Sequence, residues 1–530
     1  MKNIFPIVLA AFFMSLIGCN QSSEELQYTN PLYHADYPDP DVIRVGDDFY
    51  MVNSSFTYSP GLPVYHSKDL VHWQQISHVV DRHATDFFDE PRHGMGVWAP
   101  SIRYHNNYFW VYYGDPDFGI YMSKAKDPAG PWDPLTLVHA GKGLIDPCPF
   151  WDDDGNAYLV RAWAKSRAGI NSVLVMHRMS PEGDRLLDDG VMIFDGTETQ
   201  PTIEGPKMYK RNGFYYIFAP AGGVTPGWQT VLRSENVFGP YEERIVMHQG
   251  DTDINGPHQG GWVELESGEF WFVHFQCNHA YGRMVHLNPM QWLDNDWPVI
   301  GIDHNGDGTG EPVRTFRYPD TGNPPQFVPQ QTTDEFENDK LALQWRWQAN
   351  WRQEWFSLTE NPGHLRLFSL PVENENLYTI PQIITQKFPA EAFEATTKLH
   401  LTHLMEGGVA GLAATGDDYA TLRVSRNNGL AQIAYAERLN ANENGTLNIL
   451  KSVSIEANHV YLRMNVEPGA VCSFSYSTDG EVFIPLAKGF QAKRLRWVGS
   501  SIGLYSFGDG ANVGSADFEW FRVNYNDPNL

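Results

Sequence analysis

The chain has 530 residues, and its 38 basic and 64 acidic side chains give a formal charge of −26. This balance argues against a nucleic-acid partner, because polyphosphate binding needs clustered Lys and Arg. Hydrophobic residues make up 42% of the sequence, which is enough for a sizeable core and excludes wholesale disorder. Aromatic residues reach 14% and occur with 47 Gly and 35 Pro, so the composition favours an all-β architecture with many short turns.

The N-terminus predicts export and a lipid anchor. Lys2 precedes an apolar run at residues 4–17, which is too short to span a bilayer but fits a secretory signal. The small residue before Cys19 and the polar segment after it resemble a bacterial lipoprotein signal. We expect residues 1–18 to be removed, Cys19 to be acylated and residues 19–29 to form a tether on a bacterial membrane, either periplasmic or at the cell surface. The alternative is an ordinary signal with an incidental Cys.

The remaining cysteines, Cys148, Cys277 and Cys472, are odd in number and lack CxxC spacing. They predict buried thiols rather than a disulfide framework or a zinc site.

Five segments share a pattern in which a polar turn precedes a short aromatic-rich strand. The aromatic residues that mark these strands lie 49 to 59 residues apart; they are Tyr50, Phe109, Tyr158, Tyr215 and Phe270. A repeat of this length made of short strands is typical of β-propeller blades. Residues 30–318 are therefore predicted to form a five-bladed β-propeller.

A chemically distinctive residue stands eleven or twelve positions before each marker, and four of the five open a short motif that contains Pro. The five residues are Asp39, Trp98, Asp146, Glu204 and His258. Equivalent positions of a propeller are neighbours in space, so these side chains are expected to converge on the axial funnel. Taken singly, each has a simpler reading as a turn residue, a solvated charge or a core aromatic.

Converging carboxylates suit glycoside hydrolysis, in which one carboxyl group stays protonated and another stays ionised. A third carboxylate nearby would raise the pKa of the acid by like-charge repulsion. Carboxylates on opposite sides of a funnel leave room for a water molecule, as inverting enzymes require. Trp98 is a candidate apolar wall, and His258 is a candidate to hold a water or a metal at the funnel floor.

Six short segments occur in a fixed order that resembles the signature blocks of one enzyme family. They are Pro38-Asp39-Pro40, His66-Ser67-Lys68-Asp69-Leu70, Val97-Trp98-Ala99-Pro100, Asp146-Pro147, Glu204-Gly205-Pro206 and Gly282-Arg283. The family is glycoside hydrolase family 43, and the resemblance covers nearly the whole mature chain. It implies a five-bladed propeller and inverting chemistry.

The resemblance also implies roles for individual residues. Asp39 would be the general base that activates water, Glu204 the general acid, and Asp146 the residue that modulates the pKa of the acid and orients the substrate. Arg283 would bind sugar hydroxyls, and Phe56 would wall the pocket.

By the same resemblance, His258 would lie at the axis, where a structural Ca²⁺ is a candidate; no cofactor is required for the chemistry. The loop at residues 57–59 and the segment after Arg283 depart from the family pattern, which leaves the exact sugar open.

Residues 319–333 have the composition of a linker, and residues 334–530 alternate in the manner of β-sandwich strands. This second domain resembles the concanavalin-like domain that accompanies family-43 xylosidases and arabinofuranosidases. It would either close one side of the pocket or serve as a stabilising or sugar-binding appendage.

We therefore predict an exo-acting glycoside hydrolase that releases xylose or arabinose from plant cell-wall polysaccharides or oligosaccharides. One alternative keeps the fold and changes the glycan, as in a β-galactosidase or an endo-arabinanase. Another is a non-catalytic glycan-binding surface lipoprotein, although a binder would have no need for three carboxylates together. The oligomeric state is left open by the sequence.

Overall fold

A computed structural model of the chain describes residues 26–510 and 514–529. The predicted signal peptide, the lipidation site Cys19 and most of the tether lie outside these ranges. Helix is scarce in the described part, and none of its helices has the length and apolar character needed to cross a membrane. The helices are α1 (Lys165–Ala168) and the 3-10 helices Asp86–Asp89, His279–Tyr281, Gln353–Trp355 and Ala441–Glu443.

The first part of the chain folds into twenty-two strands. They are β1 (Gln27–Thr29), β2 (Asp41–Val45), β3 (Asp48–Val52), β4 (Gly61–Ser67), β5 (Gln74–Val80), β6 (Trp98–His105), β7 (Tyr108–Asp115), β8 (Gly119–Ala125), β9 (Thr136–Ala140), β10 (Leu144–Trp151), β11 (Ala157–Trp163), β12 (Val173–Met179), β13 (Val191–Asp195), β14 (Lys207–Arg211), β15 (Phe214–Ala221), β16 (Trp228–Ser234), β17 (Glu242–Met247), β18 (His258–Glu264), β19 (Phe270–Asn278), β20 (Gly282–Trp292), β21 (Pro298–Ile300) and β22 (Thr315–Arg317).

Strands β2 to β21 form five antiparallel four-stranded sheets, each made of four consecutive strands. The first strands of neighbouring sheets contact one another, β2 with β6 and β18, and β10 with β6 and β14. These five sheets are the predicted propeller blades, arranged with their first strands innermost. The five-bladed β-propeller is therefore confirmed.

The polar turns of the repeat are explained by their backbone conformation. Each connects the first and second strands of a blade, and residues in these turns have positive φ, as at Gly46 (62°), Asn107 (62°) and Gly213 (84°). Two-residue hairpins favour this left-handed conformation, which Gly and Asn adopt at the lowest steric cost. The turn residues thus set the register of the aromatic strand that follows.

The ends of the described chain meet at one seam. Strand β1 pairs with β22, which follows the last blade. The side-chain oxygen of Asn529 accepts a hydrogen bond from the backbone N–H of Thr29 at 2.8 Å, and its amide nitrogen donates to the carbonyls of Thr29 and Leu32. The imidazole of His72 in the first blade contacts the carbonyl oxygen of Asn529 at 2.7 Å.

The second part of the chain contains fourteen strands. They are β23 (Arg346–Trp347), β24 (Phe356–Ser357), β25 (Leu365–Phe368), β26 (Ile383–Lys387), β27 (Phe393–His400), β28 (Val409–Thr415), β29 (Tyr419–Asn427), β30 (Leu430–Arg438), β31 (Leu447–Ile455), β32 (His459–Glu467), β33 (Val471–Ser477), β34 (Ile484–Gln491), β35 (Ser501–Phe507) and β36 (Ser515–Tyr525).

These strands form two seven-stranded antiparallel sheets, in the orders β23-β26-β35-β28-β29-β30-β31 and β24-β25-β36-β27-β32-β33-β34. Fully buried side chains from both sheets form one core, among them Leu412, Leu462, Leu504 and Phe518. One face of each sheet packs against the other sheet, and buried and partly exposed residues alternate along strands such as β32, whereas β28 and β35 are buried throughout. The predicted β-sandwich is confirmed.

The two domains are joined by a short stretch of paired backbone. Ser59 and Trp347 exchange two backbone hydrogen bonds, of 2.9 and 2.7 Å. The Arg346 guanidinium lies 3.9 Å from the centre of the Tyr58 ring. The side-chain oxygen of Asn350 accepts a hydrogen bond from the backbone N–H of His83 at 2.7 Å. The sandwich therefore docks on the loops that follow the second and fourth strands of the first blade.

We predict that Trp347→Ala lowers the free energy of unfolding by about 3–5 kcal/mol, the usual range for truncating a buried large aromatic residue. The Trp347 side chain is 1% exposed and lies 5.3 Å from both the Trp355 and the Phe356 rings. Denaturant titration of the purified protein measures this loss. Leu450→Ala, at a side chain that is 59% exposed, is the control and should leave the midpoint within error; equal losses in both variants would contradict the prediction.

Candidate active site

The five distinctive residues of the repeat lie at the start of the innermost strands. Asp39 and Glu204 come just before β2 and β14, Asp146 lies within β10, and Trp98 and His258 begin β6 and β18. Because these strands surround the propeller axis, all five side chains are brought to one end of it. The structure thus places the five residues together, as the repeat predicts.

At this end of the propeller axis, the backbone departs from regular strand geometry at corresponding positions of several blades. Asp39, Asp146 and Gln259 have positive φ, between 45° and 55°, which is uncommon for residues other than Gly. Strands β6, β10 and β18 each have a β-bulge in their first residues, against the second strand of the blade. Bulges redirect side chains and often occur next to active sites. Here they lie at Trp98, Asp146 and His258 and turn these positions away from the ladder and towards the axis.

A cavity of about 100 Å³ lies where these strands meet. Three carboxylates and three aromatic rings line it together with Gln259 and Arg283; they are Asp39, Asp146, Glu204, Phe56, Trp98 and Trp497. Two larger cavities, of about 610 and 920 Å³, lie at the domain interface and at another face of the propeller, and neither is lined by Glu204 or Asp146. The candidate site is therefore identified by its ionisable lining residues and not by the volume of its cavity.

Asp39 is buried and accepts hydrogen bonds on both of its oxygens. Arg283 Nη1 lies 2.5 Å from Oδ1, and the Ser54 hydroxyl donates to Oδ2 at 2.5 Å. Two donors and no acceptor match an ionised carboxylate. The guanidinium of Arg283 lies 5.7 Å and 5.6 Å from the ring centres of Phe56 and Trp497, so the aromatic walls of the pocket also hold this cation.

Glu204 is set up to hold a proton. Burial, followed by the charges of Asp146 and Asp39, raises the pKa of its carboxyl group to about 8, although Arg283 acts in the opposite direction. Its side chain is 30% exposed, so the group reaches the open space of the pocket. A carboxylic acid that stays protonated near neutral pH can donate a proton to a bound substrate.

Asp146 is hydrogen-bonded to the backbone next to Glu204. Its Oδ2 accepts hydrogen bonds from the backbone N–H of Gly205 at 2.7 Å and from Gln259 Nε2 at 3.3 Å. Burial raises the pKa of Asp146 to about 6; Lys207 lowers it and Asp39 raises it further. Because Gly205 directly follows Glu204, the first of these bonds fixes the backbone that carries the protonated carboxyl group.

His258 is fully buried behind the pocket rather than on its surface. Its Nε2 lies 3.4 Å from Glu204 Oε1, and neither ring nitrogen has a hydrogen-bond partner among the described residues. Burial, together with Arg283, lowers the pKa of the imidazole to about 3, so the ring is neutral.

A structural Ca²⁺ at this position would need six to eight oxygen ligands. Within residues 26–510 and 514–529, no group of three potential metal-ligating side chains includes His258. Backbone carbonyls, amide oxygens and waters can also be Ca²⁺ ligands, so the ion stays a prediction from the resemblance.

Two residues that line the pocket with polar or aromatic side chains, Gln259 and Trp497, are not identified by the repeat or the motifs. Gln259 directly follows His258, and its position in the fifth motif is a signal that could have identified it. Trp497 belongs to the second domain, and its ring centre lies 6.3 Å from that of Trp98. No local pattern marks Trp497, because only the docking of the domains brings it to the pocket.

Buried carboxyl groups that differ in pKa, beside a cation and aromatic walls, define an acid–base site for a polyhydroxylated substrate.

Comparison with known proteins gives the class of protein. Residues 28–298 match glycosyl hydrolases family 43, and residues 333–524 match the beta xylosidase C-terminal concanavalin A-like domain. The chain belongs to glycoside hydrolase family 43, and it is a glycoside hydrolase. The resemblance inferred from the motifs is thereby confirmed.

Individual relatives are similar over most of their length. A protein of Xylanibacter ruminicola is 40% identical over 477 residues, which are 90% of this chain and 85% of that protein. The non-reducing end alpha-L-arabinofuranosidase of Bacteroides ovatus is 30% identical over 558 residues, 98% of this chain and 99% of its own. The crystal structure of xylan beta-1,4-xylosidase from Bacillus halodurans C-125 has 25% identity and a TM-score of 0.83, covering 94% of this chain and 100% of that one.

We predict that Asp146→Asn lowers the pKa of Glu204, because the charge of Asp146 is one of the causes that raise it. Removing a negative neighbour makes ionisation of Glu204 easier, so its titration midpoint moves to lower pH. Carbon-13 NMR of the labelled side-chain carboxyl groups measures the midpoint in wild type and variant. Asp47→Asn, at an exposed turn of the first blade, is the matched control. An unchanged or higher midpoint in Asp146→Asn would contradict the electrostatic account.

Proposed function

We propose that the protein is an inverting, exo-acting hydrolase that releases terminal xylose or arabinose from plant cell-wall polysaccharides or oligosaccharides. One observation carries the proposal: the carboxyl groups of Asp39, Asp146 and Glu204 share one small pocket that Trp497 walls on the side of the second domain. A pocket of about 100 Å³ suits the end of a glycan better than its middle. The names of the relatives, xylosidase and arabinofuranosidase, support the choice of sugar.

In the proposed reaction, Glu204 gives its proton to the glycosidic oxygen as the bond between that oxygen and the anomeric carbon breaks. A water molecule attacks the same carbon from the opposite face, and Asp39 accepts one of its protons. The configuration at the anomeric carbon is inverted in this single displacement. Asp146 stays unreacted, raising the pKa of Glu204 and fixing its backbone through Gly205.

The remaining residues of the pocket position the sugar. Arg283 already holds Asp39 through Nη1, and its other N–H groups can donate to a sugar hydroxyl beside the base. The rings of Phe56, Trp98 and Trp497 offer flat apolar surfaces to the C–H face of a sugar. Since Trp497 comes from the sandwich, this assignment favours the second domain as a wall of the pocket over a separate appendage.

We predict that Asp39→Asn and Glu204→Gln each lower kcat by about 10²- to 10⁴-fold on xylo- and arabino-oligosaccharides, the usual contribution of a general acid or base. An aryl glycoside with a good leaving group needs no proton, so it should restore much of the rate of Glu204→Gln and none of the rate of Asp39→Asn. Glu198→Gln, at an exposed carboxyl group between blades three and four, is the control and keeps the wild-type rate. Release of sugar is measured by chromatography.

Two outcomes would overturn the proposal. Retained rates in both active-site variants would exclude the acid–base assignment. Proton NMR of the first-formed product shows its anomeric configuration, and retention of configuration would exclude the single displacement. Saccharide binding without any hydrolysis would instead favour a glycan-binding protein.

We also propose that the protein is exported and held on a membrane by acyl chains on Cys19. The support is the sequence alone, namely the charged Lys2, the apolar residues 4–17 and the Cys that follows a small residue. We predict that Cys19→Ala moves the protein from the membrane fraction to the soluble fraction and abolishes incorporation of labelled palmitate. Ser22→Ala is the control. Equal membrane association of both variants would contradict the anchor.

A further inference from the structure

A second group of ionisable side chains lies on the sandwich, among residues that the mechanism does not use. His364, His400 and Glu519 each place one ligand atom within 4.8 Å of the others, and this is the single such group in the part of the chain that the structure describes. All three side chains are half-buried. We call these three residues the His–His–Glu cluster.

The register of the sheet explains how the cluster forms. Strands β25 and β27 lie on either side of β36. His364 immediately precedes Leu365, which pairs with Phe518, so His364 stands beside Glu519. On the other side, β27 skips Glu519 at a β-bulge and continues with His400 opposite Asp517.

Glu519 is therefore the extra residue of the bulge, and the strand on each side of it brings one histidine next to it. The neighbouring side chains Leu365, Leu399 and Phe518 are fully buried in the core. Side chains alternate between the faces of a strand, so the cluster is turned away from that core and towards the outer face of the sheet.

The cluster is held together by short polar contacts. His400 Nε2 lies 2.6 Å from Glu519 Oε2, and the His364 and His400 ring centres are 5.1 Å apart. Lys398 Nζ lies 2.5 Å from the same Glu519 oxygen. The lysine is thus the charge that a bound cation would have to displace.

We propose that the His–His–Glu cluster binds a divalent transition-metal ion of the zinc class. Two imidazole nitrogens and one carboxylate oxygen are ligands that Zn²⁺ takes at about 2.0–2.2 Å, with a fourth position for water. Tetrahedral ligands at that distance lie about 3.4 Å from one another, so small side-chain rotations bring the three atoms into place. Two nitrogen ligands do not suit Ca²⁺ or Mg²⁺, which prefer oxygen.

A metal bound here would link three adjacent strands, β25, β36 and β27. These strands come from well-separated parts of the sequence, so the ion would bind the folded domain and not the unfolded chain. Binding of this kind raises the free energy of unfolding by RT ln(1 + [Zn²⁺]/Kd), so the thermal midpoint rises with the concentration of the ion.

Metal titration of the whole purified chain, freed of metal by chelation, tests the proposal. Isothermal titration with ZnCl₂ near pH 7.5 should give one equivalent of bound ion, and Co²⁺ should give the visible absorption of a tetrahedral site. His364→Ala and His400→Ala should each weaken Zn²⁺ binding by roughly tenfold or more, because each removes one ligand. His403→Ala, at an exposed histidine of the same domain, is the matched control and leaves the affinity unchanged.

The variant Lys398→Ala tests whether the His–His–Glu cluster is a metal site or only an ion-pair network on the surface. Loss of the competing ammonium group should tighten Zn²⁺ binding. The thermal midpoint of Lys398→Ala should be higher with Zn²⁺ than without it. Circular dichroism melts without metal check that each variant is folded. The proposal fails if no stoichiometric binding occurs, if His364→Ala and His403→Ala bind equally well, or if Lys398→Ala weakens binding.

Discussion

The whole site depends on keeping three carboxyl groups close together in a buried pocket. Like charges in a poorly solvated space repel, so the three cannot all be ionised unless a cation stands among them. Arg283 is that cation, and its Nη1 lies 2.5 Å from Asp39 Oδ1. Burial, followed by the charges of Asp146 and Asp39, raises the pKa of Glu204 to about 8. The proposed roles of Asp39 as base and Glu204 as acid rest on this difference in surroundings, a guanidinium beside the first and burial with two negative neighbours around the second.

The second domain helps to hold the Arg283 cation in place, and its Trp497 also forms a wall of the pocket. Trp497 lies on the guanidinium of Arg283, and the backbone of Asp36 and Arg283 lies against the sandwich near Lys387. The Lys387 ammonium group donates to the carbonyl of Asp36, while the Asp36 carboxylate accepts the backbone N–H of Arg283. The position of the cation is therefore determined from both domains.

Much of the fold could be predicted from the sequence because the blade is a local unit. The hairpin turns need residues that accept positive φ, so Gly and Asn recur at a fixed distance from the aromatic strand, and the distance to the inner strand is fixed in turn. That constancy is why Asp39, Asp146 and Glu204 could be identified together. Trp497 could not be, since its role depends on docking between domains, and nothing in its own segment records that contact. The bulges that turn Asp146 and His258 towards the axis likewise have no clear residue signature.

The seam between Thr29 and Asn529 has a mechanical consequence. Any force applied to the chain before Thr29 reaches the propeller through the β1–β22 pair, and it reaches the last strand of the sandwich through Asn529. A force on the chain before Thr29 therefore acts on both domains at once and at neighbouring points. It does not separate one domain from the other. Under the proposed anchoring at Cys19, such a load would move the two domains together as one piece.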